Sequence, residues 1–335
     1  MGFTQREVET MLDYYCCLND VKYNRDTVLK EMKTYYNGYL FSEEATERLY
    51  NPDMILFFMK YLAQGRYPRE MTDTNVKTDY GKLKRLLRED QTKSLTMEKT
   101  KLDEINEEDE IITNIKRMFP LEAINGREEI ISLMFYMGML TIKEPYLANV
   151  KLHVPNLVVK ELYWEYLYNS INKELNDTLK VEPIGKALYR MAKTGDITDF
   201  VQYTYDKVLK VMSNRDLIKM EEKHIKMIFL SFLSVNAVYI PYSELELNGG
   251  YSDIVLYPDS RYEVNNSQIW ELKFLKKGDD RNEKLKEARA QIKEYENDPN
   301  FQRLTANTTV YKYIIIGTKD DVEIIDVTKE EANHI

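Results

Sequence analysis

Near residue 236 the spacing of apolar residues changes from a helical repeat to a two-residue repeat, and no other feature constrains the fold as strongly. Before it, Glu221 to Val235 gathers Ile225, Ile228, Phe229, Phe232 and Leu233 on one side of a helix. After it, Val238–Ile240, Ser243–Leu247, Tyr251–Tyr257 and Gln268–Leu275 read as strands, with Asn248-Gly249-Gly250 as a hairpin turn. Arg281 to Glu296 returns to helical spacing. Val310–Gly317 is a near-continuous apolar run of the kind buried on both faces of a sheet, and a last short strand is expected at Val322–Val327. A helix between the third and fourth strands predicts a parallel crossover, hence an α/β domain with a mixed sheet and helices on both faces.

Upstream the chain reads as mainly helical. Thr4 before Glu7 and Glu9 predicts a capped helix start, and Asn51-Pro52 another, running from Asp53 to about Leu62. Asn37-Gly38 between tyrosines predicts a tight turn or short hairpin. Residues 70–110 are polar, and Asn106 to Glu110 reads as a solvated acidic run. A helix from Glu128 to Met137 ends at Gly138. Met139–Lys143 and Val150–Val154 then alternate as a two-stranded ribbon, and Pro155-Asn156 opens a helix. Helix, ribbon, helix suggests a small winged-helix-like module. Helical spacing continues from 176 to 235, broken at Thr194-Gly195-Asp196 and resumed from Phe200 to Met212.

Composition narrows the function. With 43% hydrophobic and 31% charged residues over 335 positions, a soluble globular protein is expected, with no membrane span and no secretory signal at the N-terminus. Cys16 and Cys17 are adjacent, which excludes a disulfide framework and zinc spacing and suits a reducing cytoplasm. A net charge of −9 counts against a protein that coats DNA non-specifically, although a bound divalent cation can reverse the field locally. No glycine lies in a G-x-x-x-x-G-K-[ST] setting, so no ATP site of the P-loop kind is expected.

One group of residues carries chemistry. Asp253 follows the turn glycines on an apolar strand. On the next strand Trp270, Leu272 and Phe274 point one way and Glu271 and Lys273 the other. Three charges on one buried face are costly unless something organises them, and a divalent cation on the two carboxylates does so. Mg²⁺ (or Mn²⁺) takes oxygen ligands, here Asp253, Glu271 and the Leu272 carbonyl, and keeps several waters. The chemistry this set suits is phosphodiester hydrolysis, with Lys273 orienting a water or stabilising developing charge. The acid-x-Lys pattern also occurs at Asp20-Val-Lys22, Glu31-Met-Lys33 and Glu221-Glu-Lys223, but only the Glu271 copy sits on an apolar strand. The alternative is an edge strand whose outer charges merely pair with each other.

The segments Gly250-Tyr251-Ser252-Asp253-Ile254-Val255-Leu256 and Ile269-Trp270-Glu271-Leu272-Lys273-Phe274, with the helix Ala288-Arg289-Ala290-Gln291-Ile292-Lys293-Glu294-Tyr295, resemble the PD-(D/E)XK nucleases. Gly2-Phe3-Thr4, Tyr36-Asn37-Gly38-Tyr39, Tyr50-Asn51-Pro52, the Leu133–Thr141 segment and Val154-Pro155-Asn156 resemble bacterial AAA-ATPase-like proteins that carry such a domain at their C-terminus. The resemblance implies a restriction-endonuclease-like α/β domain over 216–335. Ahead of it would lie a helical lid-like region over 1–105, the winged-helix-like module over 106–175 and a helical connection over 176–215. It further implies Asp253 and Glu271 as metal ligands supplemented by Glu222, Lys273 as the catalytic lysine, and Gln291 and Tyr295 beside them, with His224 a weaker candidate. Two departures stand out. Tyr251-Ser252 replace the family's usual arginine, and the ATPase core that precedes such a Gly-Phe-Thr segment is absent, so a separate or removed ATPase region is a candidate partner.

The most basic stretch, Lys276, Lys277, Arg281, Lys284, Lys286, Arg289 and Lys293, begins directly after the Glu-x-Lys strand. There Lys276, Lys277, Arg281 and Arg289 are candidates to hold a phosphate backbone, of DNA more than RNA. His153 reads as a surface residue and His334 as terminal, while the 26 tyrosines read as packing rather than base-stacking groups. The expected function is metal-dependent cleavage of nucleic acid. The alternative is a catalytically inactive nuclease fold kept as a module that docks nucleic acid or protein.

Overall fold

The computed structural model describes residues 2–19, 23–77, 110–118, 126–211, 221–236, 238–247 and 250–332. Most of the 70–110 stretch and most of the acidic run at 106–110, the turn residues Asn248 and Gly249, Met212 and His334 lie outside the described residues. The chain divides into two units, Met1–Tyr163 and Trp164–Ile335.

In the first unit α1 (Gln5–Asn19) starts at a reciprocal cap: Thr4 N donates to Glu7 Oε2 at 2.8 Å and Glu7 N donates to Thr4 Oγ1 at 3.3 Å. Asn24 and Asn51 accept from Thr27 N and Met54 N to open α2 (Arg25–Tyr36) and α3 (Pro52–Leu62). The tyrosine-flanked Asn37-Gly38 forms no hairpin; Asn37 caps the end of α2, and Gly38 turns the chain at φ +115°. A Cβ there would lie 2.0 Å from the Pro155 carbonyl oxygen, so only glycine fits. β1 (Ile111–Thr113) precedes α4 (Arg127–Tyr136), then β2 (Thr141–Tyr146) and β3 (Asn149–His153). The ribbon expected from two strands is a three-stranded antiparallel sheet in the order β1-β3-β2. β1 went unread because three residues are too few to display a period. His153 is not a surface residue. It is half-buried, with Nε2 3.3 Å from Arg48 Nη1, and burial, then the Arg48 charge, pushes it down to about 4. α5 (Leu157–Glu174) opens where Asn156 Oδ1 accepts from Val159 N.

In the second unit α6 (Val181–Thr194) ends on left-handed Gly195, and α7 (Thr198–Thr204) runs into a π turn at Tyr205–Leu209. α8 (Glu222–Leu233) leads to β4 (Tyr239–Leu247), β5 (Gly250–Pro258) and β6 (Asn266–Phe274). α9 (Arg281–Glu296) and α10 (Pro299–Thr305) carry the chain to β7 (Thr309–Gly317), β8 (Val322–Asp326) and α11 (Val327–Ala332). The two strands expected at 238–247 are one strand, continuous through Pro241. β4 is an edge of the sheet, where a missing N–H is tolerated.

The sheet order is β4-β5-β6-β7-β8. β6 and β7 are parallel, joined through α9 and α10, and the other pairs are antiparallel, so the mixed sheet with its crossover is as expected. On one face Trp270 packs against Phe200 and Phe229. On the other, Ala288 and Ile292 of α9 cover Ile314 and Ile316, while Tyr295 joins Val255 and Ile269. β6 is therefore the central strand, buried along its length save for half-buried Phe274. Among the described residues no helix is long and apolar enough to cross a membrane.

Candidate active site

The chemistry-bearing residues gather where β5 and β6 part. Their backbone pairing is regular from Leu256↔Gln268 to Ile254↔Trp270 and then stops, although β6 stays paired with β7 through Phe274↔Gly317. One residue further, the register sets Asp253 opposite Glu271. There the Leu272 N–H donates to Asp253 Oδ2 at 2.9 Å. A carboxylate thus stands in for a strand carbonyl, and the buried N–H keeps its partner.

Glu271 and Lys273 alternate with Trp270 and Leu272, so they share the α9 face with Ile269. Glu271 is 1% exposed and Lys273 is 7% exposed. Lys273 Nζ donates to Glu271 Oε1 at 2.8 Å, while the buried Oε2 has no hydrogen-bond partner among the described residues. A central strand paired on both sides and covered on both faces excludes the edge-strand alternative. Burial pushes the Asp253 carboxyl up despite the Leu272 N–H and the ammonium groups of Lys226 and Lys273. Burial, then the Asp253 charge, pushes Glu271 up to about 8, with Lys273 opposing. Burial alone would pull Lys273 down, but the Glu271 carboxylate more than reverses this, and the lysine remains a cation.

Helices complete the surround. Glu222, at the start of α8, accepts from Phe274 N at 3.1 Å, and its charge acts on Asp253, Glu271 and Lys273. His224 is half-buried on the same turn. On α9 the Gln291 side chain is hydrogen-bonded to the Tyr295 hydroxyl. That phenol is pushed up by burial and then by Glu271 and Asp253. Lys226 was not singled out in the sequence. It is 8% exposed and its ammonium acts on Asp253. The overlooked signal was a lysine one turn after Glu222, set into a helix whose residues from Ile225 to Leu233 are otherwise apolar save Ser231.

The basic stretch fares unevenly. Arg281 Nε donates to Glu323 Oε2 at 2.8 Å, Arg289 pairs with Glu330 at 2.7 Å, and Lys284 pairs with Glu287 at 3.0 Å. Lys276 and Lys277 are exposed just after β6 and make no ion pair among the described residues. A cleft of about 370 Å³ between Asp196, Tyr313, Asp326 and Lys329 does not include Asp253, Glu271 or Lys273.

The donor set suits a hard divalent ion: a buried carboxylate with an unpartnered oxygen, Glu271, beside the half-buried carboxylate of Asp253, both relieved by positive charge. Among the described residues no three His, Cys, Asp or Glu side chains form a ready-made ligand cluster, so backbone oxygen and water would make up the rest. No curated protein and no solved structure matches this chain. Residues 220–327, which span α8, α9, the five-stranded sheet and Asp253, Glu271 and Lys273, match the family model described as the PD-(D/E)XK nuclease superfamily.

Proposed function

We propose that the second unit hydrolyses phosphodiester bonds of nucleic acid, DNA before RNA, with a divalent metal ion. The observation that carries this reading is the buried Glu271–Lys273 pair on the central strand with half-buried Asp253 beside it, held in a stretch that matches a nuclease superfamily. Asp253, Glu271 and the Leu272 carbonyl would hold Mg²⁺ or Mn²⁺, with Glu222 supplementing them. The ion, when bound, activates a water and neutralises charge on the phosphate. Lys273, kept cationic by Glu271, orients the attacking water and stabilises the oxygen on which charge builds. Gln291, tied to Tyr295, approaches the same pocket from α9 and fixes the substrate's position. Lys276 and Lys277 receive the phosphate backbone, since Arg281 and Arg289 are already committed to glutamates.

The first unit, with its helix–hairpin–helix order, we read as a winged-helix-like and lid-like regulatory part of the kind that accompanies an ATPase region, in a cytoplasmic protein. Incubating the full chain with plasmid and Mn²⁺, beside Asp253→Ala and Lys273→Ala, tests the enzyme reading. Nicking by the unchanged protein alone supports it; equal activity in all three marks contamination and refutes it. The neutralised α9 arginines favour one second reading, a nuclease fold that docks nucleic acid or protein without cutting. Binding of duplex DNA with no cleavage in Mn²⁺ would select that one.

A further inference from the structure

The roles assigned so far leave Lys226 unused. A lysine under cover is costly unless an anion faces it. α8 explains its position. Glu222 and Lys226 are four residues apart, hence on one side of the helix, and Glu222 is pinned to the end of β6 through the Phe274 N–H. The same side of α8 therefore carries the Lys226 ammonium inward, toward the opening between β5 and β6 where Asp253 stands, and only 8% of the residue remains exposed.

The charge balance gives this position a meaning. Three carboxylates (Asp253, Glu271, Glu222) and two ammonium groups (Lys226, Lys273) leave the site formally one charge negative. A divalent cation makes it one charge positive, opposite to the single negative charge of a phosphodiester. Without Lys226 the loaded site is neutral and has no net attraction for its substrate.

We infer that Lys226 is a positioning residue of this site: it orients the Asp253 carboxylate and sets the net charge that a phosphodiester meets. The inference rests on the nuclease reading, and it makes a prediction that a packing role does not. Removing a cation beside the metal ligands lets the metal bind more tightly, while the substrate is held and turned over less well.

The test titrates Mn²⁺ alone into the full chain by calorimetry and measures plasmid cleavage in parallel, for the unchanged protein, Lys226→Met and Lys226→Arg. Lys226→Met is expected to bind Mn²⁺ about tenfold more tightly and to cleave at least about tenfold more slowly, with Lys226→Arg close to the unchanged protein in both. Lys226→Gln carries the same expectation should the methionine variant fail to fold. Weaker or unchanged Mn²⁺ binding in the neutral variants overturns the inference, as does failure of arginine to restore cleavage. Mn²⁺ binding without cleavage by the unchanged protein sinks the nuclease reading and leaves the relative Mn²⁺ affinities to decide Lys226. No Mn²⁺ binding at all overturns both.

Discussion

The two sheets of this protein carry charge in opposite ways. On the three-stranded sheet, Lys143 pairs with Glu110 and Lys151 with Glu144 at 2.6 Å, largely in contact with water. On the five-stranded sheet, Glu271 and Lys273 pair at 2.8 Å on a central strand, almost fully covered, with one carboxylate oxygen unpartnered. The first arrangement is what any half-exposed sheet does with its outer face, and such pairs contribute little. The second costs stability, and an apolar pair of similar volume would pack there at less expense. Buried charge retained against that cost is what the proposed chemistry rests on; exposed charge in the same residue types supports no such proposal.

The largest expected effect separates the two sheets by activity. Asp253→Ala and Lys273→Ala should each lower Mn²⁺-dependent plasmid cleavage by about a thousandfold or more. Lys151→Ala should leave the rate within about twofold, and a comparable loss there would erase the distinction.

Stability against pH should sharpen it, because the buried groups of the two regions run in opposite directions. Glu271 is raised from an ordinary 4.5 to about 8, so the folded state favours its neutral form. Its contribution is fully present below the unfolded value and is lost as pH rises from about 4.5 to 8. Denaturant unfolding in chelated buffer should show that fall, on the order of a few kcal/mol. Glu271→Gln should flatten it. In the first unit His153 is lowered from 6.5 to about 4 by burial and then by Arg48. Its contribution is present above the unfolded value and is lost as pH falls from about 6.5 to 4, roughly 2 kcal/mol after allowance for its partial exposure. A His153→Gln variant that keeps the same acid-side slope would refute this assignment. The smallest effect belongs to the exposed pairs: Lys151→Ala should leave the melting temperature unchanged within error, and that null should persist at high salt.

Much of the site was legible because the strand repeat is local. Two-residue alternation from 268 to 274 is enough to put Glu271 and Lys273 on one face and Trp270 on the other, and the helix at 281–296 is enough to require a parallel crossover. What was misread has equally local causes. Pro241 looked like a break because its edge position could not be known. Asn37-Gly38 looked like a hairpin because helix ends and hairpins use the same residues. The basic stretch looked free because its partners, Glu323 and Glu330, lie some forty residues further along the chain.

The sequence by itself determined the sheet's alternation, the crossover and the identity of the acid–acid–lysine group. All three follow from spacings of a few residues, which chain geometry alone enforces. The tertiary structure decided that β6 is central rather than an edge, that Asp253 replaces a backbone partner for Leu272, and that Lys226 lies under cover on a helix with its charge acting on Asp253. These depend on which distant segments pack together, and burial then raised the carboxyls of Asp253 and Glu271 above their ordinary range.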